Sequence, residues 1–193
     1  MKKATYNDRN VIIDILYRSF LDNQSVNYIA QQDDKKLDRI KALMEYSFET
    51  CYNYGEVFLS YDRNACALIL YPHQKPTSLK TILLDFKLIL NCIGVRNIKK
   101  ALSRESMIKK IQPKIPMYYL WFIGVRPKQQ GSGIGTSFIN EVLEHGREKK
   151  LPVYLETSTL KNLPWYKRLG FEIYAELDLG YKLFFLRRAI EVE

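Results

Sequence analysis

The chain has 193 residues, 47% of them hydrophobic and including 14 Tyr and 9 Phe, which is enough for a packed core and excludes general disorder. Its 30 Lys and Arg against 21 Asp and Glu leave a net charge of +9, which favours anionic partners without choosing among nucleic acid, anionic lipid and a phosphorylated cofactor. Three cysteines, Cys51, Cys66 and Cys92, form no CxxC pair and stand far from either histidine, so neither a disulfide framework nor a metal site is expected.

In chain order, "TYNDRNVIIDILYRSF" reads as a first helix: Thr5 and Asp8 resemble a capping box, and Ile12, Ile15, Leu16 and Phe20 share one face. "NQSVNYI" reads as a connection. A second helix follows, with Leu37, Ile40, Leu43, Met44 and Phe48 at three- and four-residue steps, ending before Gly55. "EVFLSY" and "ACALILY", joined by "DRN", predict a hairpin over 56–71, closed by Pro72 and Pro76. From Ser78 to Ile111 the helical period returns, broken near "CIGVRN". The greasiest part, "TILLDFKLILNCIGV", is cut by Asp85 and Lys87 and is too short to span a bilayer, so no membrane is expected and a soluble, cytoplasmic protein is the simplest reading.

"MYYLWFIGV" (117–125) is a nearly continuous apolar strand suited to the centre of a sheet. A loop with Gly131, Gly133 and Gly135 leads into a helix marked by Ile134, Phe138, Ile139, Val142 and Leu143. "VYLETS" is another strand, "LPWYKRLG" a short helix, and "FEIYAELDL" with "YKLFFLRR" a closing hairpin. The fold class is therefore α/β (mixed α+β), with one domain over 1–193 and a helical insertion at about 76–116 before the central strand.

The glycine loop tests against three phosphate-binding schemes. A GxxxxGK[ST] loop fails, because Thr136 stands five residues after Gly131 and no Lys-Ser or Lys-Thr follows. A GxGxxG dinucleotide fingerprint finds Thr136 or Phe138 where its third glycine belongs. Gln130-Gly131-Ser132-Gly133-Ile134-Gly135, after "VRP" and before an amphipathic helix, fits [Arg/Gln]-x-x-Gly-x-[Gly/Ala]. With "NLPWYKRLGF" (162–171) downstream, the sequence resembles the GNAT superfamily of acyl-CoA-dependent N-acetyltransferases over 117–188. Such a loop exposes unpaired N–H groups at the positive end of a helix dipole, a cradle for a pyrophosphate. Glycines allow close approach and positive φ.

The resemblance implies a central mixed sheet flanked by helices. It also implies acetyl-CoA bound through Ile123, Gly124, Val125, Gln130, Gly131, Ser132, Gly133, Ile134, Gly135, Thr136, Asn162 and Tyr166. The strand at 118–125 is expected to splay from 152–156, with the amide near Val125 polarising the thioester carbonyl. Gln130, Lys128 and Arg126 are candidates for further phosphate contacts. Gly124 is read as the bulge of the strand, with relief of packing as the plain alternative. Tyr166 matches the family's acid position, and Asn162 either contacts the pantetheine or caps the short helix. Glu156 is the candidate base, with a turn-capping carboxylate as its alternative. His73 and His145 are read as loop surface and structural.

The function expected is transfer of an acetyl group to a primary amine, on a small molecule or a peptide. The rivals are a non-catalytic acyl-CoA sensor and a basic nucleic-acid-binding protein, for which no reading module is visible. Asp22, Asp33 and Asp34 are weighed as attractors of a cationic acceptor, and the insertion as a lid or a homodimer face.

Overall fold

In the computed structural model, which describes residues 1–74, 76 and 78–189, two helical layers sandwich a sheet of seven strands. The elements are β1 (Lys2–Lys3), α1 (Arg9–Phe20), α2 (Gln24–Ile29), α3 (Lys36–Tyr54), β2 (Gly55–Leu59), β3 (Ala65–Leu70), α4 (Leu79–Leu88), α5 (Ile98–Ile111), β4 (Tyr118–Val125), α6 (Ile134–Glu148), β5 (Val153–Thr157), α7 (Leu163–Arg168), β6 (Glu172–Asp178) and β7 (Lys182–Arg188). The strand order is β1-β2-β3-β4-β5-β7-β6, and every pairing is antiparallel except β4 with β5. The mixed fold class and the helical segment before the central strand are as expected. The short strand β1 and helix α2 are not: "NQSVNYI" is helical because Asn23 caps it, its side chain accepting from Val26 N–H at 3.1 Å.

One face of the sheet is covered by α1 and α3. Ile12, Ile15, Leu16, Ile40, Met44 and Phe48, all inaccessible to solvent, pack there on Leu68, Tyr119 and Phe122. On the other face, Phe138, Ile139, Val142 and Leu143 of α6 pack on Ala67, Ile69, Tyr118, Leu120 and Leu155. A helix on each face explains why β4 reads as a continuous apolar run and does not alternate.

The segment between β3 and β4 lies on the α1/α3 side. Ser78 caps α4, which packs on α3, and a π-helical turn (Ile89–Ile93) and a 3₁₀ turn (Val95–Asn97) lead to α5. Helix α5 reaches over the far strands, where Ile108 meets Leu183 and Phe185. The outer stripe of α4, Leu79, Ile82, Leu83 and Phe86, stays exposed, as does Leu90 in the π-helical turn. Among the described residues no helix is long and apolar enough to cross a membrane. The three cysteines are buried and, among the described residues, form no disulfide.

Candidate active site

Strands β4 and β5 pair only at Tyr118–Val153 and Tyr119–Tyr154, and then part company. Beyond that point β4 stays on β3 and β5 on β7, so an opening widens towards the glycine loop. A β-bulge produces the change of course. Tyr119 and Leu120 face Leu70 and Ile69, but Phe122 faces Leu68, so Trp121 is the extra residue. The bulge also reverses the facing of the rest of the strand. Leu120 lies with the α6 cluster, whereas Phe122, two residues on, lies with the α1 cluster.

The expectation that Gly124 marks the bulge is thus corrected, since Gly124 pairs in register with Cys66. Its smallness serves packing: a Cβ there would lie 3.2 Å from Leu16 Cδ2 and 3.3 Å from Ser19 Oγ. Its neighbours supply the polar edge of the opening. Arg126 N–H donates to Asn64 O at 2.8 Å, while Ala65 turns its carbonyl to Ser60 N–H, also at 2.8 Å. Bonding alternates along an antiparallel ladder, so the N–H groups of Ile123 and Val125 point away from β3 into the opening, and that of Gly124 points to β3. The Val125 carbonyl is already held, by Ser19 Oγ at 2.8 Å and Gln130 Nε2 at 3.1 Å.

The glycine loop stands at the wide end. Gly131 and Gly133 have φ of +82° and +87°, and nothing lies within 4 Å of where their Cβ atoms would be. Gly133 is the N-cap of α6 and no side chain caps the helix, so its first N–H groups face open space. Gly135 lets the turn close on Val125, whose Cγ2 would lie 3.3 Å from an added Cβ. Ser132 Oγ bonds Gln129 O at 2.7 Å, and Thr136 Oγ1 accepts from Trp165 Nε1 at 3.0 Å. That second bond ties the first turn of α6 to α7. A groove of about 1100 Å³ adjoins it, lined by Thr136, Asn140, Trp165, Arg168, Arg187 and Arg188 among others. The cradle fits an anion with substantial bulk beyond it.

Two expected phosphate contacts are engaged elsewhere. The Gln130 amide staples the loop to Val125 O, and Arg126 Nη1 bonds Asp14 Oδ2 at 2.7 Å. Lys128 is exposed on the loop. The Asn162 side chain makes no capping bond to α7, and it is half-buried with no hydrogen-bond partner among the described residues.

Tyr166 and Glu156 lie on opposite sides of the sheet. Tyr166 is 5% exposed in the α6 cluster beside Phe171, and its hydroxyl has no partner among the described residues. Burial raises its pKa. Glu156 follows Tyr154 by two along β5 and so shares the α1 side. Its carboxylate accepts from Tyr119 Oη and from Gln112 Nε2, the latter at 2.8 Å. Burial raises the Glu156 pKa, outweighing these two donors and the nearby Arg104 guanidinium. Glu156 caps no turn; it is held by residues of two other elements. His145 sits between Tyr118 Oη, 3.1 Å from its Nδ1, and Glu56, 3.7 Å from its Nε2, while His73 is exposed. Asp33 is occupied by Arg39 at 2.5 Å. Burial pushes the Cys92 thiol up to about 12 and also raises Cys66, so neither is an available nucleophile.

Sequence reasoning missed Tyr119, Gln112, Arg104, Ser25 and Tyr181, which enclose the Glu156 side. The only signal for Tyr119 was its place on β4. Nothing in the sequence joined the others.

Residues 93–171 match the profile of the acetyltransferase (GNAT) family. Over 54 residues, 28% of this chain and 22% of the relative, the sequence is 39% identical to an uncharacterized N-acetyltransferase of Schizosaccharomyces pombe. The match thus spans less than a quarter of that relative's length. Among solved structures, a histone acetyltransferase HPA2 and related acetyltransferase from Corynebacterium glutamicum superposes with a TM-score of 0.72 at 18% identity, covering 100% of this chain and 96% of that one. Arylalkylamine N-acetyltransferase 2 from Aedes aegypti gives 0.62 at 16%, covering 98% of each chain. At these identities the likeness is one of fold.

Proposed function

We propose, from the match of residues 93–171 to the profile of the GNAT family of acetyltransferases, that the protein transfers an acetyl group from acetyl-CoA to a primary amine. The observation that carries the reading is the divergence of β4 from β5 beside a helix start with no side-chain cap. In this reading the N–H groups around Gly133 hold the pyrophosphate, Gly131 and Gly133 leave it room, and the Ile123 and Val125 amides take an extended pantetheine as an added strand would. Asn162 donates to the same arm.

Acetyl-CoA supplies an acyl group on a thioester; the residues supply geometry and proton traffic. An N–H on β4 stabilises negative charge on the carbonyl oxygen. Glu156, on the acceptor side, takes the proton that the attacking amine must lose as its C–N bond forms. Tyr166, on the other side, gives a proton to the sulfur as the C–S bond breaks. The two groups lie on opposite faces of the sheet, so acid and base are separate side chains, in keeping with direct attack without an acyl-enzyme.

The test is calorimetric titration of acetyl-CoA into the wild-type protein and into Gly133→Glu. The wild type is expected to bind. In the variant, a carboxylate projecting into the open cradle repels the pyrophosphate and binding is lost. Equal binding by both folded proteins refutes the cradle, and absence of binding by the folded wild type refutes the proposed function.

A further inference from the structure

The face that carries Glu156 also holds a cation that makes no contact ion pair among the described residues. Arg104, on α5, is half-buried. Its Nη2 donates to Ser25 Oγ at 2.6 Å and its Nε to Tyr181 Oη at 3.3 Å, and Tyr181 Oη in turn donates to Ser25 Oγ at 3.2 Å. The ring joins the start of α2, the β6–β7 turn and α5 above the face that carries Glu156. Among the described residues no carboxylate lies within 4.0 Å of Arg104, whereas half-buried Arg9 has Glu45 and Glu49, Arg39 has Asp33 and Arg126 has Asp14. A guanidinium offers five donors in a planar fork suited to a carboxylate, and two hydroxyls leave most of that capacity unused.

The surroundings of Arg104 are polarised and aromatic. Arg104 is close enough to act electrostatically on both Glu156 and Tyr119. Tyr28 and Tyr181 meet edge to face at 5.3 Å, with Lys100 Nζ 3.8 Å from the centre of the Tyr28 ring, which adds positive charge at the Arg104 end. Tyr154 and Tyr174 line the Glu156 end, with ring centres 5.6 Å apart. A cation and a carboxylate thus share this face, each beside a pair of aromatic rings.

We propose that Arg104 is the carboxylate-binding residue of the acceptor subsite, and that the acceptor is a free amino acid, its carboxylate on the Arg104 fork and its amine at Glu156, the ammonium having first given one proton to solvent so that the neutral amine attacks. This rests on the acetyltransferase reading above. It also gives the segment between β3 and β4 a role in specificity, because α5 carries the residue that selects the acceptor.

The experiment is thiol release from acetyl-CoA with a panel of amino acids, each beside its carboxamide and its decarboxylated amine, on wild type, Arg104→Gln and Arg104→Lys. The free amino acids are expected to be preferred in kcat/KM. Arg104→Gln is expected to lower kcat/KM for them by about 30-fold or more, through KM, and to lower it far less for the carboxamides, for which Arg104 acts only through its charge on Glu156. Arg104→Lys recovers part of the loss. Preference for the decarboxylated amines, or an equal fall on all acceptors in Arg104→Gln, overturns the proposal and makes the ring a structural latch. Acetyl-CoA binding without transfer to, or calorimetric binding of, any amino acid also overturns it. Only loss of acetyl-CoA binding itself strikes the underlying function.

Discussion

As the proposed base, Glu156 would couple the chemistry to pH through a single carboxyl. Burial raises its pKa above the usual 4.5, so its proton-accepting form accumulates only at higher pH than for a free glutamate. Turnover is therefore expected to fall as pH drops through that raised value, and Glu156→Gln to abolish this limb of the kcat profile along with most of the rate. A profile unchanged by the substitution would remove Glu156 as the base. The position of Glu156 at a strand end was legible in the sequence, because "VYLETS" ends where a family base could stand. Its partners were not: Tyr119 and Gln112 lie 37 and 44 residues away, and only the fold brings them together. Gly131 and Gly133 were legible for a local reason, since a positive φ is a demand made on the residue itself.

Among the elements, β4 matters most. Its apolar run announced a central strand, but the sequence could not say where the extra residue falls, since a bulge is defined only against the register of a partner. Trp121 takes that place, and Gly124 instead admits α1 to the strand's edge, where Ser19 reaches Val125 O. Gly124→Ala puts a methyl group 3.2 Å from Leu16 and 3.3 Å from Ser19. It is expected to cost about 1–3 kcal/mol, read as a lower urea midpoint at unchanged slope. A midpoint equal to wild type would show that α1 moves aside freely. Helices α4 and α5 teach the same lesson. The periods of α4 and α5 were readable, but the site of Arg104 depends on Ser25 and Tyr181, 79 and 77 residues away.

Across the whole molecule, buried Asp8 ties the N-terminal edge to the body. It meets Lys2 on β1, Thr5 N–H before α1, and Arg63 Nη1 at 3.0 Å in the β2–β3 turn. Burial works to raise its pKa, but these partners prevail and the pKa lies below the ordinary 3.8. A lowered folded pKa gives stability that is present above the unfolded value and lost as pH falls through the folded one. Asp8→Asn is thus expected to be less stable than wild type at neutral pH, with the gap closing in acid below 3.8. Chemical denaturation at a series of pH values measures it, and a gap constant with pH would deny the carboxylate its role.

The two tryptophans stand on opposite sides of the sheet: Trp121, at the bulge, packs 6.1 Å from Tyr46, and Trp165 bonds the first turn of α6. Each half of the molecule therefore carries its own fluorophore. With Trp121 or Trp165 replaced by Phe, the remaining emission reports one side alone. Rapid mixing can then time the two arrivals separately and reveal whether one must precede the other.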